Sequence, residues 1–150
     1  MNAQGPRRKG RAFEQRIARL IRSRFPGVEV HRSSQADRAY DADLVCTGHP
    51  VLERLWLELT DGRAPNVKAK LEQAERDVEL ACKLTTNPRP MRLPVVVHHR
   101  LGERTTYATM RLDTLMLIVY RGDADEAPHT GDAGNALVTM SLDDFLEVLR

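Results

Sequence analysis

Residues 40–60 read YDADLVCTGHPVLERLWLELT, and the rest of the chain is organised around them. Two short apolar runs are joined by a turn at Gly48, His49 and Pro50, residues that punctuate strands. In a strand, positions i and i+2 share a face. Trp56, Glu58 and Thr60 are therefore expected to point one way, and Leu55, Leu57 and Leu59 the other. The first run opens with a carboxylate, Asp43. The second carries one in its middle, Glu58. A carboxylate inside an otherwise buried strand is costly unless something pairs with it. Two readings are open. The pair surrounds a divalent cation, since hard oxygen ligands from adjacent strands suit Mg²⁺, or both carboxylates sit at strand ends in water. Asp41 shares the strand face of Asp43 and is an alternative ligand.

Working outward, a chain of 150 residues fits one domain with a single core. The expected division is a flexible basic arm over residues 1–9 and one domain over 10–150. Cys46 and Cys82 form no CxxC pair and are expected as reduced, small core residues. No apolar run approaches the ~20 residues of a membrane span, and the first residues lack the apolar core of a signal peptide. The expectation is no membrane partner and a cytoplasmic, reducing compartment.

Net charge is +2, but unevenly placed. Residues 1–24 carry eight basic side chains against the single acid Glu14. Residues 121–150 carry seven acids against Arg121 and Arg150. Such asymmetry suggests a face for a polyanion and a face turned away from it, the alternative being solvated charge runs. On the first reading DNA is the partner, met by Arg7, Arg8, Lys9, Arg11 and Arg16, with Lys68 from a later helix.

Residues 10–24 have the periodicity of an amphipathic helix: Phe13, Ile17, Leu20 and Ile21 recur at i, i+4, i+7 and i+8. Glu14 lies at the border of that stripe. It either pairs with Arg11 within the helix or looks across at the two carboxylates. Val28–Val30 begins a short strand, and residues 31–38 (HRSSQADR) are polar and loop-like, suited to phosphates but equally to any loop. After an exit turn at Asp61-Gly62 and Pro65 comes a second helix, Asn66 to about Leu84. Asn66 is its expected N-cap, and Val67, Leu71, Ala74, Val78 and Ala81 form its apolar stripe. Pro94–His98 reads as a strand buried on both faces; His98 and His99 at its end are expected to be structural or solvated. A further strand spans about residues 105–112. TMRLDTL (109–115) and TMSLDDFL (139–146) then echo each other as strand ends passing into helices, with Ser141 or Asp143 able to cap the second. Residues 121–135 between them read as an acidic, glycine-rich loop. The whole predicts an α/β fold, a mixed β-sheet with helices on both faces.

Glu14 on a basic first helix, Asp43 in ADLV, Glu58 in LWLELTDG and Gln73 in KAKLEQAERD occur in an order that resembles the PD-(D/E)xK nuclease superfamily. More narrowly, it resembles the small phage and bacterial Holliday-junction-resolvase-like endonucleases. The resemblance covers about residues 8–100. It implies a restriction-endonuclease-like core and a Mg²⁺- (or Mn²⁺-) dependent endodeoxyribonuclease of a bacterial cell or its phage, acting on DNA, including branched DNA, and able to work as a homodimer. It also implies that Asp43, Glu58 and the carbonyl of Leu59 hold the metal, with Glu14 acting through water or a second ion. The chain departs from the pattern where a lysine is expected two residues after the glutamate: Thr60 stands there, and threonine carries no positive charge. Either the lysine's function has moved to the second helix, where Lys70 is better placed than Lys68 because it is nearer Gln73, or catalysis is lost and the fold binds DNA or a nucleoprotein assembly. On the first alternative the catalytic set is Glu14, Asp43, Glu58, Lys70 and Gln73.

Overall fold

The computed structural model describes residues 5–33, 42–84, 92–121 and 129–150, the side chains of residues 5–8 excepted. Among these, six strands and four α-helices form a mixed α/β fold. The first helix, α1, spans Gly5–Arg24. It starts before residue 10, so residues 5–9 of the expected basic arm are helical. Pro6 stands where a missing N–H and a fixed φ suit a first helical turn, so the Gly-Pro pair opens the helix rather than marking a loop. Arg7 and Arg8 lie on this turn, outside the described side chains.

The sheet follows in chain order: β1 (Glu29–Arg32), β2 (Leu44–Thr47), β3 (Leu55–Gly62), β4 (Leu93–Arg100), β5 (Thr106–Arg111) and β6 (Leu137–Ser141) are neighbours in that sequence. Every pairing is antiparallel except β3 with β4. A parallel pair needs a crossover, and α2 (Val67–Leu84) supplies it. Asn66 caps this helix through Oδ1, which accepts from Ala69 N at 3.1 Å. The echoed segments are two strand-to-helix passages. β5 runs into α3 (Leu112–Val119) and β6 into α4 (Leu142–Val148), where Ser141 Oγ accepts from Asp144 N at 3.1 Å. Residues 131–135, read as loop, wind into a 3₁₀ turn; 122–128 lie outside the described residues. Among the described residues no helix is long and apolar enough to cross a membrane.

The sheet divides the interior in two. On one face Leu44, Leu55, Leu57, Leu59, Val95, Val97 and Met110 pack against Phe13, Ile17 and Ile21 of α1, Ile118 of α3 and Phe145 and Leu146 of α4. The other face carries a small cluster: Ala42 and Trp56 under Ala74 and Val78 of α2. Helices thus cover both faces, as the order of elements predicts. Cys46 is buried in the larger core, where burial pushes its thiol up to about 11. Cys82 corrects the expectation of a second core cysteine: it lies on the exposed side of α2, because that helix buries only one narrow stripe.

Two acids of α4 meet the basic helix. Arg24, in the last turn of α1, reaches Asp143 at 2.7 Å and Glu147 at 2.8 Å on α4. One end of the basic helix is therefore neutralised within the chain.

Candidate active site

β2 and β3 meet antiparallel with Leu44 opposite Leu57. Asp43 stands just before that pair on its strand and Glu58 just after it on the other, close enough for the charge of Asp43 to act on Glu58. Leu44 and Leu57 face the large core, so by alternation Asp43 and Glu58 share the face covered by α2. Backbone bonds fix the approach: Asp43 N donates to Leu57 O at 3.0 Å. Asp43 Oδ2 accepts from Leu59 N at 2.9 Å. A strand residue turns its N–H and C=O toward the same neighbour, so the Leu59 carbonyl also faces the β2 side, beside Asp43.

Glu58 is 6% exposed, and both of its oxygens are engaged. The Trp56 indole N–H donates to Oε1 at 3.0 Å. Lys70 Nζ lies 2.9 Å from Oε2. Burial, and then the negative charge of Asp43, push the Glu58 carboxyl above its ordinary range, against the opposing pull of Lys70 and Trp56. Burial alone would lower the Lys70 ammonium. The hydrogen bond to Glu58, with the charges of Glu58, Asp43 and Asp77, outweighs it and holds Lys70 above its ordinary value. The site is therefore a like-charge carboxylate pair relieved by one lysine. No buried side-chain N or O lacks a partner among the described residues.

Asp43, Glu58 and Lys70 are thus brought together by β2, β3 and the first turn of α2. Thr60, on the same strand face as Glu58, is half-buried. Lys68 and Gln73 are exposed on α2. α1 packs on the opposite face of the sheet, and Glu14 Oε2 accepts from Arg32 Nε of β1 at 2.5 Å. Ser33 then continues the β1 pairing, donating from N to Asp43 O at 3.2 Å and from Oγ to Ala42 O. The Glu14–Arg32 pair stands at the sheet end where Leu44, opposite Arg32, begins β2 just after Asp43. Tyr40 and Asp41 lie outside the described residues, as do residues 34–38 of the polar loop. Lys9, Arg11 and Arg16 are exposed on α1, the Arg16 guanidinium 5.0 Å over the Phe13 ring.

Among the described residues no group of three or more His, Cys, Asp or Glu side chains is placed to hold a metal ion. The donor set at Asp43 and Glu58 is two carboxylates with a carbonyl alongside. That fits Mg²⁺, which is commonly held by one or two protein carboxylates and completes its shell with water and substrate oxygens. It fits on the condition that Lys70 cedes part of Glu58.

Two groups escaped the sequence reading. Trp56 reads as core, yet its indole N–H holds a site carboxylate; its i, i+2 spacing from Glu58 was the available signal. His99 lies beside Asp61, its partner across the parallel β3–β4 register. Nδ1 is 3.0 Å from Asp61 Oδ1 and Nε2 is 2.8 Å from Glu103 O. The Asp61 hydrogen bond, then that of the Glu103 carbonyl, raise the imidazole above its usual range. His98 takes the opposite course. It sits against Thr109 Oγ1 at 2.9 Å and stacks on Tyr107, and burial lowers it.

Compared with known proteins, the chain matches no family model and no curated protein.

Proposed function

We propose that this protein is a metal-dependent DNA endonuclease with a restriction-endonuclease-like core, hydrolysing phosphodiester bonds and suited to branched substrates. A mixed sheet with helices on both faces is the architecture that the resemblance implies. The observation that carries the reading is Lys70 Nζ at 2.9 Å from Glu58 Oε2. A helix-borne lysine occupies the role that Thr60, two residues after the glutamate, cannot fill.

Asp43 and Glu58 would hold Mg²⁺ or Mn²⁺, with the Leu59 carbonyl facing the same gap. When bound, the cation polarises the scissile phosphate and lowers the pKa of a water. Lys70, kept charged by its carboxylate neighbours, positions that water and stabilises charge developing on the phosphate. Trp56 fixes the Glu58 carboxylate through Oε1, so that the oxygen shared with Lys70 keeps its direction. Exposed Lys9, Arg11 and Arg16 meet the DNA backbone.

The test is incubation with supercoiled, linear and four-way-junction DNA in Mg²⁺ or Mn²⁺. Cleavage is expected from the native chain and lost in Asp43→Ala and Glu58→Ala. Lys70→Met should slow cleavage by about 10²–10³-fold, and Thr60→Lys in that background should recover part of it. No cleavage of any substrate by the native chain overturns the reading. A second reading has one observation in its favour: Trp56 and Lys70 already occupy both oxygens of Glu58. A site satisfied in this way serves a nuclease-fold protein that binds DNA without cutting it, and DNA binding without cleavage or metal dependence is its signature.

A further inference from the structure

The described part of α1 is not uniformly neutralised. Arg24 is taken by Asp143 and Glu147, while Arg32 of β1 faces Glu14. Arg19 and Arg22 have backbone acceptors only: Arg19 Nε donates to Gln15 O at 3.3 Å, and Arg22 Nη2 to Val30 O at 2.5 Å. Among the described residues neither forms an ion pair with a carboxylate. Both side chains line an open groove of about 530 Å³ between α1 and β1, together with Gln15, His31 and Arg32. Among the described residues β1 is the edge strand of the sheet.

We infer that this α1–β1 groove is a binding track for the sugar-phosphate backbone of duplex DNA. It runs along the β1 side of α1. The inference rests on the reading of DNA as partner, but not on cleavage. Three features select this occupant. First, Arg19 and Arg22 are an i, i+3 pair, adjacent along one helix face, with Arg32 across the groove. Arg32 is already paired with Glu14, so the two charges that remain follow one another along the helix, which suits successive phosphates of a chain better than one small anion. Second, among the described residues no Phe, Tyr or Trp lines the groove, so it lacks the broad platforms on which unstacked bases lie. It meets the backbone and reads no sequence. Third, the Arg32 end adjoins Ser33, whose N–H bonds Asp43 O. A backbone lying in the groove therefore reaches the sheet end where the carboxylates stand.

The experiment measures binding of a labelled duplex to the full chain in EDTA across a salt series. Arg19→Ala with Arg22→Ala should weaken binding about tenfold at low salt. The same variant should flatten the log–log salt slope by about 0.9 for each phosphate that is no longer neutralised. Arg22 also anchors Val30 O, so Arg19→Glu alone, which touches only an exposed helix carbonyl, is the second variant; it should weaken binding in the same direction. Lys83→Ala, at the far end of α2, should leave affinity and slope unchanged. An unchanged slope in the folded Arg19 variants overturns the inference, as does an equal loss in Lys83→Ala. Binding of acidic-lipid vesicles in preference to duplex also overturns it. Cleavage by the native chain with an unchanged slope defeats the groove alone, whereas a flattened slope without cleavage defeats the nuclease alone.

Discussion

The two faces of β3 are built from alternate residues of one strand, yet they do different work. Leu55, Leu57 and Leu59 enter a core shared by α1, α3 and α4. Trp56 and Glu58 turn to a cluster of four buried residues under α2. Burying an aliphatic side chain in the large core contributes about 1.5–3 kcal/mol. Burying Glu58 opposes folding unless its charge is matched, and among the described residues Lys70 and the Trp56 N–H match it. The strand thus has a face that stabilises and a face that is held in place by the first. The small alanines of the second cluster, Ala42 and Ala74, are both fully buried. They let α2 approach closely enough for Lys70 to reach the strand.

The largest effect on stability should come from emptying the first face. Leu57→Ala removes a side chain 2% exposed and should cost about 2–5 kcal/mol in urea unfolding. A cost no greater than that of a surface substitution would show that the two faces are not energetically distinct.

Removing Lys70 probes the second face. Lys70→Met leaves Glu58 buried beside Asp43 without its cation. The side chain is part-exposed, so the cost should be about 1–3 kcal/mol at neutral pH. The sign of its pH dependence follows from Glu58. A carboxyl whose folded pKa is raised is most compatible with the fold when protonated, and stability falls as pH rises through that raised value. The variant should therefore be closest to the native chain in acid and furthest from it above neutrality. A pH-independent difference would mean that Lys70 acts by packing rather than charge.

The smallest effect belongs to His99, at the end of the same strand pair. Its folded pKa is raised by Asp61 and the Glu103 carbonyl. Its contribution is therefore complete below the unfolded histidine value and lost as pH rises through the folded one. His99→Asn should cost within about 1 kcal/mol near pH 5 and less near pH 8. The opposite trend in thermal unfolding would show that the imidazole is held neutral.

Much of the fold was legible because it rests on local rules. The i, i+2 alternation of LWLELT sorted the faces of β3, and the spacing of Val67, Leu71, Ala74 and Val78 set the buried face of α2. Asn66 and Ser141 mark helix starts by capping chemistry alone. The extent of α1 was less legible. Gly5-Pro6 reads as a loop signal and as a helix start with equal force, and only the chain that follows decides between them.

The candidate site divides in the same way. From the sequence alone come the two carboxylates, their shared face, and a gap in charge at Thr60, because strand alternation and side-chain chemistry are local properties. Other features were decided by tertiary structure. Lys70 fills the gap at Glu58 because the parallel β3–β4 crossover lays α2 over that strand. Glu14 meets Arg32 of β1 because α1 packs against the opposite face of the sheet. Partners of a buried charge are chosen by which elements meet across the sheet, and sequence spacing carries no information about that meeting.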